Sequence, residues 1–245
     1  MKLSVLMDID QVIVERNPLS YVIRDLAELL FRRKGISREV FLNEIRRKRI
    51  ARIKSGDYMG AYNYQDIIEK VYRKLGLREE VPILSELLKD YLREDYLKIY
   101  IDALEAIKLL KKMPVALIAF SSGYSEYQVP LLDKIGLLKY FDKIATPDIL
   151  GYGKPDRRAY MRALEGMPSS ALAVGDSLFF DVYGAKNAGI PAVLVVREKF
   201  SSIDDFLKAK YIREKISLEI DYPFQRPDYI ITSMLDLPCI VESLL

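Results

Sequence analysis

The chain of 245 residues contains no histidine and no tryptophan, and its single cysteine is Cys239. Without histidine the protein can have no Ser-His-Asp triad, no histidine-ligated zinc and no phosphohistidine. One cysteine excludes an internal disulfide, which is typical of proteins from a reducing cytoplasm. Any chemistry must therefore come from Asp, Glu, Lys, Arg, Tyr, Ser or the lone thiol.

An excess of one charge and a long apolar run are also missing. The 38 basic and 35 acidic residues leave a net charge of +3, which is too small to indicate a nucleic-acid partner. The longest apolar runs, such as residues 115–120, are far shorter than the roughly 20 residues that a membrane-spanning helix needs. Met1-Lys2 leads directly into a strand-like run rather than into a secretory signal. We therefore expect a cytoplasmic protein without nucleic-acid or membrane partners, and no pattern indicates an oligomeric state.

Apolar strand-like runs alternate with helical patterns along most of the chain. This alternation predicts a parallel, doubly wound sheet. The expected strands are 3–7, 115–120, 143–146, 171–174, 192–196 and 229–231. Residues 18–100 are almost entirely helical in pattern, and Asp102 with Glu105 has the spacing of a capping box for the next helix. We expect an α/β fold in which residues 1–16 and 101–245 form the sheet domain and 17–100 an inserted α-helical cap.

Polar residues follow the ends of these expected strands. They are Asp8, Asp10, Ser121, Ser122, Lys154, Asp176 and Asp181. Each is ordinary alone, since Asp-x-Asp arises by chance and a lysine before proline is usually a solvated loop charge. In an open parallel sheet, however, ligands bind beyond the carboxyl ends of the strands, so these side chains should converge. Carboxylates, one lysine and a hydroxyl suit a hard divalent cation and a phosphoryl group.

The same segments carry a family resemblance over nearly the whole chain. Asp8-Ile9-Asp10-Gln11-Val12-Ile13 resembles the first motif of the haloacid-dehalogenase (HAD) superfamily, and Ser121-Ser122-Gly123 resembles the second. Gly153-Lys154-Pro155-Asp156 is similar to the third motif, and Gly175-Asp176-Ser177 followed by Asp181 is similar to the fourth. The helical insert after the first motif resembles the type-one cap of this superfamily, and the resemblance implies a Rossmann-like core for the rest of the chain. Gln11 and Ser122 depart from the Gly and the frequent Asn of the common pattern, so the turn after Asp10 and one phosphate contact are expected to differ.

The resemblance implies a magnesium-dependent phosphatase acting on a small phosphorylated metabolite. Asp8 would attack phosphorus and form an aspartyl-phosphate, and Asp10 would be the general acid and then the general base. Ser121, Ser122 and Lys154 would bind the phosphoryl group, with Lys154 also offsetting the repulsion between two anions. The resemblance further implies that Mg²⁺ is held by Asp8, the backbone carbonyl of Asp10, Asp176 and Asp181. Asp181 would either bind the metal directly or orient one of its ligands.

The insert should choose the substrate, but its sequence is less informative. The basic run from Arg46 to Lys54 fits a solvated helix face better than an anion site. Tyr58, Tyr62 and Tyr64 fit packing within the insert better than a substrate wall. No function is evident for the polar stretch 200–227.

Four alternatives stay open at this point. A phosphosugar mutase would share all four motifs. A phosphonate hydrolase would need a Schiff-base lysine in the cap, for which Lys48 and Lys54 are candidates. A 2-haloacid dehalogenase is disfavoured by Asp10. A non-catalytic regulatory or binding protein on this scaffold is disfavoured because Asp8, Lys154 and Asp176 are all present.

Overall fold

The central sheet consists of six short strands that pair in parallel in the order 143–145, 115–120, 3–7, 171–175, 192–195 and 229–231. Two further strands, 14–16 and 98–99, form a separate antiparallel ribbon. The computed structural model describes all 245 residues. The strands are β1 Leu3–Met7, β2 Val14–Arg16, β3 Lys98–Ile99, β4 Val115–Phe120, β5 Lys143–Ala145, β6 Ala171–Gly175, β7 Ala192–Val195 and β8 Tyr229–Ile231.

Strand β1 lies in the middle of the sheet because all of its residues can be buried. Val5 and Met7 pack into an apolar cluster on one face of the sheet, and Leu6 packs into a second cluster on the other face. A strand covered on both faces is typical of parallel sheets flanked by helices. The predicted α/β fold with a doubly wound parallel sheet is therefore confirmed.

Eleven helices surround the sheet or form the insert. They are α1 Leu19–Lys34, α2 Arg38–Lys54, α3 Tyr64–Lys74, α4 Leu84–Leu88, α5 Ile101–Leu110, α6 Ser125–Lys134, α7 Pro147–Leu150, α8 Arg157–Leu164, α9 Gly184–Asn187, α10 Ile203–Leu218 and α11 Leu237–Ser243. A wide π-type turn at Leu178–Tyr183 precedes α9 and joins it to β6. None of the helices is long and apolar enough to span a bilayer.

The capping box expected at Asp102 is wrong. Helix α5 begins after Tyr100, and no side chain caps it. The Asp102 carboxylate instead accepts hydrogen bonds from Arg197 at 2.7 Å and from the backbone N–H of Met234 at 2.8 Å. The Asp102 carboxylate therefore forms contacts with distant parts of the chain instead of capping the helix that the local pattern indicated.

Helices α1 to α4 lie between the two strands of the ribbon. They share an apolar cluster built around buried residues such as Phe41 and Ile67, to which Tyr127 of α6 also contributes. The chain enters and leaves this segment side by side, since Val14 pairs with Ile99 and Arg16 with Lys98. The division into a sheet domain and a cap at residues 17–100 stays a prediction.

The stretch 200–227 contains α10, which contacts both the insert and the sheet domain. Leu218 and Tyr222 pack in one apolar cluster with Ile53 from α2 and with Phe179 and Phe180, which follow β6. This stretch therefore joins the helical segment to the loop that follows one of the central strands.

Candidate active site

The candidate site is built on the end of β1. This strand pairs with β4 on one side and β6 on the other, so Asp8 lies between the residues that follow those two strands. The backbone N–H of Asp8 donates to the carbonyl oxygen of Val174 at 2.8 Å, and the residue is only 9% exposed. The sheet thus fixes the backbone of Asp8 and leaves its carboxylate at the edge of the crevice.

Lys154 is a buried cation at the centre of the site. Its Nζ lies 3.0 Å from a carboxylate oxygen of Asp8 and 2.6 Å from Asp181, and it donates to the carbonyl oxygen of Phe120 at 3.1 Å. Burial alone would lower the pKa of Lys154, but the carboxylates of Asp181 and Asp8 outweigh it and raise the pKa. The lysine is therefore a fixed positive charge that bridges two carboxylates.

Three carboxylates lie together around this lysine. One oxygen each from Asp8, Asp176 and Asp181 fall within 4.8 Å of one another. Burial raises the pKa of Asp8 well above its usual range, and neighbouring carboxylates oppose the lowering effect of Lys154. Burial, followed by the charge of Asp181, raises the pKa of Asp176 to about 7. The site holds more negative charge than one lysine neutralises, and its hard oxygen donors fit a divalent cation such as Mg²⁺.

The carboxylate of Asp10 lies outside this cluster of three. Its two oxygens accept hydrogen bonds from Asn17 Nδ2 at 2.6 Å and from Gln128 Nε2 at 3.0 Å. Burial is the main cause that raises the pKa of Asp10, although both hydrogen bonds act to lower it. Sequence reasoning missed Asn17 and Gln128, because neither belongs to a motif and each contacts Asp10 only through the fold.

The turn after Asp10 accommodates a residue where glycine is common. Gln11 has a φ of 61°, in the left-handed region that glycine adopts without strain. Its backbone N–H donates to Val14 at 2.7 Å and its side chain donates to Glu15 at 2.9 Å. These two hydrogen bonds hold Gln11 in the left-handed conformation.

Ser121 and Ser122 follow β4 on the side of Asp8 opposite Asp176. Ser121 is 2% exposed, and its hydroxyl accepts a hydrogen bond from the backbone N–H of Gly123 at 3.0 Å. Ser122 is half-buried and lines the same cavity as Asp8. The structure thus places both serines beside the carboxylate, as it does Lys154, Asp176 and Asp181.

The loop after β6 is held by a residue from the stretch 200–227. The carboxylate of Glu214 accepts hydrogen bonds from the Ser177 hydroxyl at 3.1 Å and from the backbone N–H groups of Leu178 and Phe179 at 2.9 and 2.8 Å. The backbone N–H of Ser177 in turn donates to Asp181 at 3.0 Å. Glu214 was also missed from sequence, since it lies in a helix with no recognisable motif.

The comparison with known families agrees with this geometry. Residues 4–189 match the family described as haloacid dehalogenase-like hydrolase, and residues 151–237 match a second HAD-hydrolase-like family. The chain belongs to the haloacid dehalogenase-like hydrolases. The expected family is therefore confirmed, and the protein is an enzyme of the hydrolase class.

Relatives of this hydrolase include phosphatases. The glyceraldehyde 3-phosphate phosphatase of Methanopyrus kandleri is 26% identical over 147 residues, which are 58% of this chain and 63% of that protein. The enzyme of the same name from Methanothermobacter thermautotrophicus is 35% identical over 92 residues, 36% of this chain and 41% of its own length. The chain thus spans less than two thirds of these curated relatives.

Solved structures cover the hydrolase from end to end. A HAD phosphatase from Thermococcus onnurineus has a TM-score of 0.68 and 29% identity over 98% of both chains. A 2-haloacid dehalogenase from Pseudomonas syringae has a TM-score of 0.69 over 100% of both chains, with 19% identity. The second likeness shows the shared fold alone.

A cavity of about 430 Å³ in this HAD hydrolase joins the carboxylates to the helical insert. Its insert side is mainly apolar and aromatic, and is formed by Leu19, Ile23, Leu42, Tyr62 and Tyr64, with Arg24 as the one cation. The floor holds the carboxylates and Lys154. A ligand in this cavity would therefore have a charged end at Asp8 and a less polar body against the insert.

The basic run and the tyrosines of the insert lie differently with respect to the cavity. No residue of the basic run 46–54 lines the cavity. Within that run, Arg49 lies over the ring of Tyr62 at 5.7 Å and Arg52 forms an ion pair with Asp66. Tyr62, which was expected only to pack the insert, both lines the cavity and packs edge-to-face on Phe180 at 5.7 Å.

Proposed function

We propose that the protein is a magnesium-dependent phosphatase that hydrolyses a small phosphate monoester through an aspartyl-phosphate on Asp8. The observation that carries this proposal is the contact between Asp8 and buried Lys154 at the floor of one cavity, beside two further carboxylates. A carboxylate attacking a phosphate dianion needs positive charge near both groups. Lys154 supplies one such charge, and a cation held by the three carboxylates would supply the rest. Relatives named for hydrolysing glyceraldehyde 3-phosphate and phosphoglycolate support the same reading.

The proposed reaction has two steps on the residues of this chain. In the first, an oxygen of Asp8 bonds to phosphorus as the bond to the alcohol oxygen breaks, and Asp10 gives that oxygen a proton. In the second, Asp10 takes a proton from water as the water attacks phosphorus, which releases phosphate and restores Asp8. Lys154 and the Ser121 hydroxyl, with Ser122 beside it, would hold the phosphoryl oxygens during both steps.

The three clustered carboxylates, with the backbone carbonyl of Asp10, are the groups that would hold Mg²⁺. When bound, the cation would neutralise negative charge on the phosphoryl group and on the aspartates. The raised pKa values of Asp8 and Asp176 support this role, because they reflect buried negative charge that the protein alone leaves poorly compensated.

Two of the alternatives from the sequence lose support in the structure. A phosphonate hydrolase needs a cap lysine at the substrate, but Lys154 is the only lysine that lines the cavity. Lys54 forms an ion pair with Glu219 elsewhere. A dehalogenase has no need of a proton donor to an alcohol, whereas Asp10 is held in the cavity wall by two hydrogen bonds.

The first test is a screen of phosphorylated metabolites with magnesium, which measures released phosphate. Chelation with excess EDTA should abolish phosphate release, and added Mg²⁺ should restore it, since without the cation the carboxylates repel the substrate. A mutase would instead isomerise a phosphosugar without net phosphate release. Full turnover in excess chelator would contradict the proposal.

A further inference from the structure

We infer that Asn17 and Gln128 are positioning residues for Asp10, and that Asn17 couples the position of Asp10 to the helix that walls the substrate cavity. This inference rests on the proposed role of Asp10 as general acid and base. Neither residue belongs to the motifs, and each acts on the reaction through Asp10.

The carboxylate of Asp10 is held on both of its oxygens. Oδ1 accepts from the amide of Asn17 at 2.6 Å, and Oδ2 accepts from the amide of Gln128 at 3.0 Å. The two donors come from different parts of the fold, since Asn17 is the first residue of the helical insert and Gln128 lies in α6 of the sheet domain. A carboxyl group with one donor on each oxygen has a fixed plane, which a proton donor to a leaving oxygen requires.

Gln128 has no solvent-facing role that would explain its presence. Gln128 is 2% exposed, and the buried side chains near it on α6 include Tyr127 and Leu131. Burying an amide among such side chains costs free energy unless the amide forms hydrogen bonds. The Nε2 of Gln128 forms one with Asp10. The hydrogen bond from the buried amide of Gln128 to Asp10 therefore indicates a specific contact rather than general packing.

Asn17 makes a second set of contacts with its remaining polar atoms. Its side-chain Oδ1 accepts a hydrogen bond from the backbone N–H of Leu19 at 2.9 Å, and its backbone carbonyl accepts one from the Ser20 hydroxyl at 2.8 Å. One amide side chain therefore holds both the start of α1 and the carboxylate of Asp10.

Helix α1 is also a wall of the cavity. Leu19, Ile23 and Arg24 line it on the insert side. A substrate whose body packs on α1 therefore acts, through Asn17, on the group that protonates its leaving oxygen. Binding energy from the body should then appear in kcat, while a truncated substrate should lose kcat as well as affinity.

The experiment compares variants over leaving groups that need a proton to different degrees. Gln128→Met keeps the length of the side chain without a donor, and Asn17→Ser leaves a hydroxyl that can cap Leu19 but cannot reach Asp10. Glu126→Met, an exposed position on the same helix, is the matched control. Activity is measured with p-nitrophenyl phosphate, whose leaving group departs unprotonated, and with alkyl phosphates.

Both variants should lose about ten- to a hundredfold in kcat/KM on alkyl phosphates and only about twofold on p-nitrophenyl phosphate. Asp10→Asn should show the same selectivity with a larger loss, and the control should match wild type. Equal losses on all substrates, or none, in the two variants would overturn the inference. A uniform effect of Asp10→Asn would instead show that the proposed role of Asp10 itself is wrong.

Alkyl phosphates of increasing chain length separate the coupling from the positioning, because their leaving groups need protonation almost equally. In wild type and in Gln128→Met, kcat should rise with chain length as the body reaches α1. In Asn17→Ser this rise should disappear. The same chain-length dependence in both variants would show that Asn17 does not transmit the contact.

Discussion

At the residue scale, the carboxylate of Asp8 is the group on which the proposed chemistry depends. Asp8→Asn keeps the size of the side chain but removes the attacking charge, so phosphate release should fall to background. The fold should persist, because Lys154 keeps its ion pair with Asp181 at 2.6 Å. Calorimetry would test the fold, and mass spectrometry of protein quenched during turnover would locate the phosphate. Phosphate on any other residue would contradict the assignment.

Lys154 should matter to stability as well as to turnover. Lys154→Met leaves Asp8 and Asp181 buried without their counter-charge, which typically costs about 3–5 kcal/mol of unfolding free energy. The matched control is Lys186→Met, which breaks a more exposed pair with Asp228 and should cost about 1 kcal/mol or less. Urea unfolding in chelator measures both values. Equal losses in the two variants would show that burial does not set the strength of the central pair.

The strand-end residues of the site could be found from sequence because a parallel sheet brings the ends of its strands together. Asp8 and Asp176 follow apolar runs that are recognisable as strands, so their proximity required only the fold class. Asn17, Gln128 and Glu214 act through hydrogen bonds to residues of other elements. No spacing rule relates such partners, so the sequence contains no signal for them beyond their being polar.

At the scale of elements, helix α10 holds the start of the π-type turn Leu178–Tyr183 through Glu214. Glu214→Gln removes the charge from hydrogen bonds to two backbone N–H groups and should lower the unfolding free energy by about 1–3 kcal/mol. Since Asp181 lies in the same turn, the variant should also need more Mg²⁺ for half-maximal activity.

Glu219→Gln is the control for this variant. Glu219 lies just after α10, and its carboxylate is 55% exposed in an ion pair with Lys54. It should change neither the unfolding free energy beyond a few tenths of a kcal/mol nor the Mg²⁺ requirement. A Glu214→Gln protein with normal magnesium binding by calorimetry would show that α10 does not hold the metal loop.

The elements themselves were predictable where apolar periodicity decides them. Helix α3 is such an element, since its buried residues Ile67, Ile68 and Val71 recur at helical spacing. It ends at Lys74, two residues before Gly76, which is in the left-handed conformation at a φ of 71°. Helix α7, a single short turn opened by Pro147, has too few residues to show a period. Helix α10 packs Phe206 and Leu207 into one apolar cluster and Leu218 into another. Its apolar residues therefore do not form a single stripe, so the stretch 200–227 shows no clear helical periodicity.

At the scale of the whole molecule, the buried carboxylates link stability to both pH and metal. Because the pKa of Asp176 is about 7, the folded state without metal retains a proton that the unfolded state has released from about pH 4 upward. The contribution of Asp176 to the free energy of unfolding is therefore present below about pH 4 and is lost as the pH rises through about 7.

Asp176→Asn isolates this contribution from those of other acids. In chelator, the variant should gain melting temperature relative to wild type as the pH rises from about 4 to 7, because asparagine carries no charge to bury. With saturating Mg²⁺ at pH 7 the order should reverse, since only wild type would then gain binding energy. A difference that is independent of both pH and Mg²⁺ would contradict the assignment of Asp176 to the metal site.

The ribbon of β2 and β3 has a consequence for how such a protein can diversify. Because Val14 pairs with Ile99, the two ends of the helical segment lie next to each other and outside the central sheet. Recombination that exchanges the segment for one of another length would leave the path of every sheet strand unchanged. The aspartates and Lys154 would keep their places at the strand ends, while Asn17 and the insert wall of the cavity would be replaced. Such an exchange would therefore have to supply a new partner for Asp10 along with a new wall, and nothing at the strand ends.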